Sequence, residues 1–392
     1  MELQSLNGIS YTLTINLINI KSKKVIHGAS LRDQCQKDYL YGNDGIFEKN
    51  LSEMEGAFHQ IIDSLVSTET IGRDFETRYH IIELLALQKS RTLQAEEELN
   101  RMADQLSKLM MYNKLDREVL EKVEVGIRDA AALSVVEMLK YCPIMYDLKH
   151  FLVINRTATP FIISDNPVLH TNWFCRSRLP KHSGVGIAKS GLQIFMPIAP
   201  YHALLLHDKY VYESDSKNQV VLLRSQREVD SINEVQWLNA YKNIYFPSSF
   251  SSTQVEQCLS WPREESNLSK VERLNATGQA GVYIQTKKTV LDAPDEGVFK
   301  ELVHFRAPSS PKDIRVSSIR IRSKPIYFDD GSIASPHRDL VWPKIVQEFV
   351  KRVESERLPF DKLWESASSH PLFSQVGPEI RKIERSLRVV VR

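Results

Sequence analysis

Three carboxylates have residue types and settings that suit chemistry. Asp165 stands within Phe161-Ile-Ile-Ser-Asp-Asn-Pro-Val168, where an apolar run meets residues that cannot extend it. Ser164, Asp165 and Asn166 offer side-chain oxygens to nearby backbone, and Pro167 removes a donor and fixes its own φ. A carboxylate displayed at the end of a rigid strand suits catalysis or binding; the plainer reading is an Asx turn that ends the strand. Glu48 and Glu55 are seven residues apart, which puts both on one side of a helix, about two turns apart. Gathered with Asp165, they would ligate a hard divalent cation, Mg2+ or Mn2+, able to activate water and neutralise a phosphate. The plainer reading of the glutamates is surface acid near a helix N-terminus.

Gln88 and Arg91 lie at i and i+3, on one helix face. A guanidinium fork beside an amide suits a carboxylate or phosphate, and a polar helix end is the competing reading. Asn166 and Asn239 are candidates to orient such a ligand. Gly184-Val-Gly-Ile-Ala-Lys-Ser-Gly191 has neither phosphate-loop spacing and precedes an apparent strand, so it reads as a flexible loop and not as a nucleotide site. The histidines show no HExxH spacing, and GxSxG is absent. Arg315, Arg320, Arg322 and Lys324 form one basic cluster; Arg381, Lys382, Arg385, Arg388 and Arg392 form another. Such clusters can track phosphates, although solvated faces are commoner.

The elements that must position these residues change character at Pro143. Residues 10–27 alternate apolar and polar positions around a lysine-rich turn, which predicts a β-hairpin. Tyr41-Gly-Asn-Asp-Gly45 is turn chemistry before a helix. From 46 to 141 the helical period dominates and proline is absent. One stripe runs through Phe47, Leu51, Met54, Phe58, Ile61, Ile62 and Leu65, another through Phe75, Tyr79, Ile82, Leu85 and Ala86. A charged helix from Gln94 is followed by one carrying Leu120, Val123, Ile127, Ala131, Val135 and Leu139. Strands are predicted at 151–155, 160–164, 192–197, 202–207, 219–223 and 243–246, with a helix at 233–239. Their short separations favour antiparallel pairing. Residues 248–270 are Ser-rich and read as a linker, beyond which strands near 281–286 and 315–322 precede a helix at 342–355 and a basic tail.

Composition bounds the partners. The 392 residues are 42% hydrophobic and 26% charged with a net charge of +2, enough for a sizeable core and too balanced for a whole-molecule polyanion binder. Cys35, Cys142, Cys175 and Cys258 form no CxxC pair, which argues against a zinc ribbon or a disulfide framework and fits a reducing cytoplasm. No signal peptide and no membrane span are expected.

Gln34-Cys-Gln-Lys-Asp-Tyr-Leu-Tyr-Gly42, Glu48 with Glu55, Leu87-Gln-Lys-Ser-Arg-Thr92, Phe161 to Val168, Gln193-Ile-Phe-Met-Pro-Ile-Ala-Pro200 and Leu238-Asn239 follow one another in order. As an ordered set they resemble a largely bacterial family known as domain of unknown function 4238, over residues of about 30 to 250. That family usually opens on a His-Tyr-x-Pro segment, which this chain lacks. The resemblance implies one α+β domain whose polar segments are signature positions, and a place in anti-phage defence, where members are encountered. The expected fold is α+β: a helical region (46–141) packed on a mostly antiparallel sheet (151–246) within a domain of 1–250, then a mixed extension of 271–392. Two functions compete. In one, a metal-dependent nuclease or related phosphoester hydrolase carries its cation on Glu48, Glu55 and Asp165. Gln88 and Arg91 hold the phosphate, Asn166 and Asn239 orient neighbours, and the basic C-terminal clusters meet nucleic acid. In the other, the polar residues fix the fold of a non-enzymatic sensor that meets a phage or host protein.

Overall fold

The computed structural model describes residues 14–31, 46–111, 116–179, 184–262, 270–274, 280–283, 302–306, 312–329 and 336–338. Gln34 to Gly45, the helix expected at 342–355 and the basic cluster of 381–392 lie outside them.

Strands Thr14–Asn19 (β1) and Val25–Ser30 (β2) form the expected hairpin. The helices Ile46–Thr68 (α1), Phe75–Ser90 (α2) and Leu93–Met111 (α3) follow. Asp74 caps α2 by accepting the Thr77 N–H at 2.8 Å, which meets one of the four orphan donors of a helix start. The next expected helix is broken in two, Arg117–Lys122 (α4) and Ala130–Lys140 (α5). Between them Val125 donates its N–H to Asp104 at 2.9 Å and Ile127 donates to Asn100 at 2.8 Å. Side chains of α3 thus take the amides that a continuous helix would have used, and Asp129 is left-handed at φ 57°.

A mixed sheet forms the centre. Its strands are Lys149–Asn155 (β3), Leu169–Thr171 (β5), Gln193–Ala199 (β6), His202–His207 (β7) and Val220–Leu223 (β9), in the order β5-β6-β7-β3-β9. All neighbours are antiparallel except β3 and β9. Alternation along each strand sorts the core onto two faces. Leu152, Ile194 and Leu204 meet Phe58, Ile82, Leu85 and Val135 of α1, α2 and α5, which is the expected packing of helical region on sheet. Phe151, Phe195 and Leu205 meet the helices Trp173–Arg178 (α6) and Gln226–Asn239 (α7) together with Ile314, Val316 and Ile319.

A second sheet joins β2, β1, Asn243–Phe246 (β10) and Ile163–Ser164 (β4) in that order. The strand expected at 160–164 shrinks to these two residues. Within the expected linker, Ser252–Ser260 form a helix (α8) opened by a reciprocal Ser251–Gln254 capping box. Tyr212–Ser214 (β8) pairs with Ile319–Ile321 (β14), and Arg338 is buried on Asp147 at 2.9 Å. These parts of the extension therefore complete the core of the first 250 residues. Lys270–Leu274 (β11), Ala280–Tyr283 (β12) and Leu302–Arg306 (β13) form a separate three-stranded sheet. Among the described residues no helix is long and apolar enough to cross a membrane.

Candidate functional site

The signature segments meet where the C-terminal ends of α2 and α7 face the turn after β4. The fold dictates this meeting. β4 has β10 as its strand partner, and α7, which leads into β10, lies along the segment 160–167. Where that segment has no second strand, carboxamides of α7 supply the hydrogen bonds. Asn233 accepts the Ile162 N–H at 3.1 Å and donates to the Pro160 carbonyl at 3.0 Å. Gln236 accepts from the Ser164 N–H at 3.3 Å and its hydroxyl at 2.9 Å, and donates to the Pro167 carbonyl at 2.9 Å. Asn239 donates to the Asn166 carbonyl at 2.6 Å. Positions 233, 236 and 239 recur every three residues, so one helix face carries the row.

Asp165 spends its carboxylate on backbone. Oδ1 accepts the Tyr241 N–H at 2.7 Å, and Oδ2 accepts those of Lys242 at 2.7 Å and Asn243 at 3.0 Å. Three consecutive amides after the helix end thus converge on one anion, which fixes the turn from α7 into β10.

Arg91 pairs with Glu55 and not with Asp165. It is the C-cap residue of α2, its guanidinium forms an ion pair with Glu55 of α1, and its Nε donates to Gln88 at 3.2 Å. The pair is half-exposed, so water screens it. Glu48 lies in the first turn of α1 with a buried Oε2 that has no hydrogen-bond partner among the described residues. Among the described residues no three His, Cys, Asp or Glu side chains gather as a metal ion would need. Glu48, Glu55 and Asp165 therefore do not form the expected cation site. Glu55 is drawn to the cation of Arg91, and Asp165 to the amides of 241–243.

Lys89 links the two groups. Its Nζ is 3.4 Å from Asn166 Oδ1 and 3.4 Å from the Val168 carbonyl. Asn166, fully buried, donates to Gln94 Oε1 at 2.8 Å and to the Asn239 carbonyl at 3.3 Å. Gln94 in turn donates to Glu98 at 2.6 Å, and the Tyr241 hydroxyl donates to Glu97. Burial holds the Lys89 ammonium below the ordinary lysine range, with Glu98 acting in the opposite direction. Burial first, and the Lys89 charge second, push His170 down to about 3, so its ring is neutral at physiological pH.

The other expectations fall as follows. Arg315 lies over the Trp173 ring at 5.2 Å, Arg320 pairs with Glu213 and Asp215, and Arg322 reaches Glu213 at 3.5 Å. This basic cluster is largely answered from within the fold. The glycine segment is not the flexible loop expected: Asn172 donates to the Gly184 and Ser190 carbonyls, and the Gly191 N–H donates to buried Asp208 at 2.8 Å. Gly191 has φ 77°, and a Cβ there would sit 2.6 Å from Asn172 Oδ1. Sequence reasoning missed Asn233, Gln236 and Lys89. The carboxamide spacing on one predicted helix was the available signal for the first two; Lys89 looked like an ordinary lysine near a helix C-terminus.

No curated protein and no solved structure matched the chain. The family described as Protein of unknown function (DUF4238) matches residues 10–250, more than half of the 392-residue chain. These residues include the α1 glutamates, the α2 terminus, the β4 turn and the α7 row. The chain therefore belongs to the family described as Protein of unknown function (DUF4238).

Proposed function

We propose that this protein is a non-enzymatic sensor or binding module of bacterial antiviral defence, acting in the cytoplasm, in which the signature polar cluster holds the recognition surface in shape. One observation carries the reading: both oxygens of Asp165 are committed to three backbone N–H groups. A carboxylate so engaged is poorly placed to bind a cation or take a proton, because each new role would break charge-assisted hydrogen bonds. The α7 row has the same character, its amides directed at the backbone of 160–167. The defence setting comes from the family resemblance, and the partner class is a phage or host protein.

The competing reading, a Mg2+- or Mn2+-dependent nuclease, is tested directly. Purified full-length protein is incubated with DNA and with RNA, with and without each metal. No metal-dependent cleavage is expected. Cleavage that disappears in an Asp165→Asn protein of unchanged thermal stability would overturn the proposal.

A further inference from the structure

We propose that Lys89 is the anchor of an oxyanion-binding site, taking a phosphate or carboxylate group of a ligand at the junction of α2 with the turn after β4. This deepens the reading of the protein as a binding module, and names the chemistry that it recognises.

The Lys89 ammonium group has unmet needs. Lysine carries three N–H donors and a full charge. Here, among the described residues, Nζ meets only two neutral oxygens, each at the long distance of 3.4 Å. Among the described residues Lys89 forms no ion pair. Partly buried charge is normally paired, because desolvation without a counter-charge is costly. The nearby carboxylate of Glu98 is engaged by the Gln94 amide at 2.6 Å.

Lys89 does not take the usual task of a lysine in a last helical turn, which is to meet the free carbonyls. The Arg91 N–H closes the last turn on Leu87 at 3.0 Å, and Thr92 Oγ1 donates to the free Lys89 carbonyl at 3.4 Å. Lys89 instead reaches across to Asn166, whose amide is locked by Gln94 and Asn239. The ammonium is thus held in place by a rigid neutral frame, with a donor left over. His170, kept neutral by its burial, adds no competing cation. A fixed ammonium with neutral acceptors and a spare donor is the arrangement that an incoming oxyanion completes.

The test uses full-length wild-type protein and inorganic phosphate, with sodium chloride at equal ionic strength as the control and sodium acetate as the carboxylate arm. Amines are labelled with acetic anhydride, and each lysine is read by mass spectrometry. Labelling of Lys89 is expected to fall several-fold and saturably in phosphate, in acetate, or in both, while exposed Lys49 is unchanged. The arm that protects identifies the group. A Lys89→Met variant should lose the accompanying anion-specific rise in Tm, and Lys89→Arg should retain part of it. Equal labelling of Lys89 in all three salts, or no labelling in any, would overturn the site. Nuclease activity is scored separately, so failure of the anion site and failure of the non-enzymatic reading remain distinguishable.

Discussion

At the scale of single residues, the chemistry of Asp165 is decided by what its two oxygens accept. The turn was legible in Ser-Asp-Asn-Pro, because those residue types end strands. The partners were not, because Tyr241, Lys242 and Asn243 contribute main-chain amides that carry no side-chain signature. This changes the expected outcome of Asp165→Asn. For a simple Asx turn, asparagine would substitute well. Here one oxygen must become an NH2 group, which presents donors to donors at Lys242 and Asn243, or at Tyr241 if the amide is reversed. We expect a loss of about 1–3 kcal/mol in thermal or denaturant unfolding, with faster amide exchange at 241–243. Unchanged stability would show that the carboxylate is not structural. The Glu55–Arg91 pair makes the contrast. Both partners are half-exposed, so a double-mutant cycle of Glu55→Gln and Arg91→Gln should give a coupling below about 1 kcal/mol.

At the scale of elements, α7 does the work of a missing strand. Segment 160–167 joins β10 for only two residues, yet its buried backbone groups must be satisfied. Asn233 and Gln236, both buried, do this from one helix face. Gln236→Leu and Asn233→Leu keep most of the volume and strip the donors and acceptors. Each is expected to cost about 2–3 kcal/mol, chiefly through backbone groups left unpaired, and to loosen the Asp165 turn as seen by hydrogen exchange. If either variant is as stable as wild type, the row is dispensable. Apolar periodicity located α1, α2, the second half of α7 and four of the five central strands, since burial imposes it on each; the three-residue β5 is too short to show it. It failed between Val123 and Asp129, where Asn100 and Asp104 compete for the backbone and apolar spacing continues across a broken helix. It also missed α8, whose start is a capping box and not an apolar stripe.

At the scale of the whole molecule, the central sheet buries polar side chains at one end, and this sets a pH dependence. His207, Gln193 and Thr171 are opposite neighbours across β7, β6 and β5. Each is buried with a polar atom that has no hydrogen-bond partner among the described residues. His207 stacks on Phe151 with ring centroids 4.9 Å apart, and His150 is buried on the opposite face. Such a row was invisible in the sequence, because register brings its members together from three separate strands. Burial pushes His150 down to about 3 and His207 down to about 4 from 6.5, so both fold as neutral rings. Depressed histidines contribute stability that is complete above about 6.5 and is lost as the pH falls towards their folded values. Asp208 opposes them: burial raises it from 3.8 to about 6, so its contribution is lost as the pH rises through that range. Between about pH 4 and 6 unfolding takes up a proton at each of His150, His170 and His207 and releases one at Asp208. The balance is two protons taken up, or about 2.7 kcal/mol of stability lost per pH unit of acidification. Unfolding free energies measured from pH 7 to 4.5 should fall on acidification, and His207→Phe, which cannot be protonated, should flatten the slope. The aromatic replacement keeps the stack on Phe151 and removes the unpaired Nε2, but it also loses the Nδ1 hydrogen bond to the Asp208 carbonyl, so a cost of about 1 kcal/mol is expected at pH 7. An acid slope unchanged in His207→Phe would show that the ring is already charged, or solvated, in the native sheet.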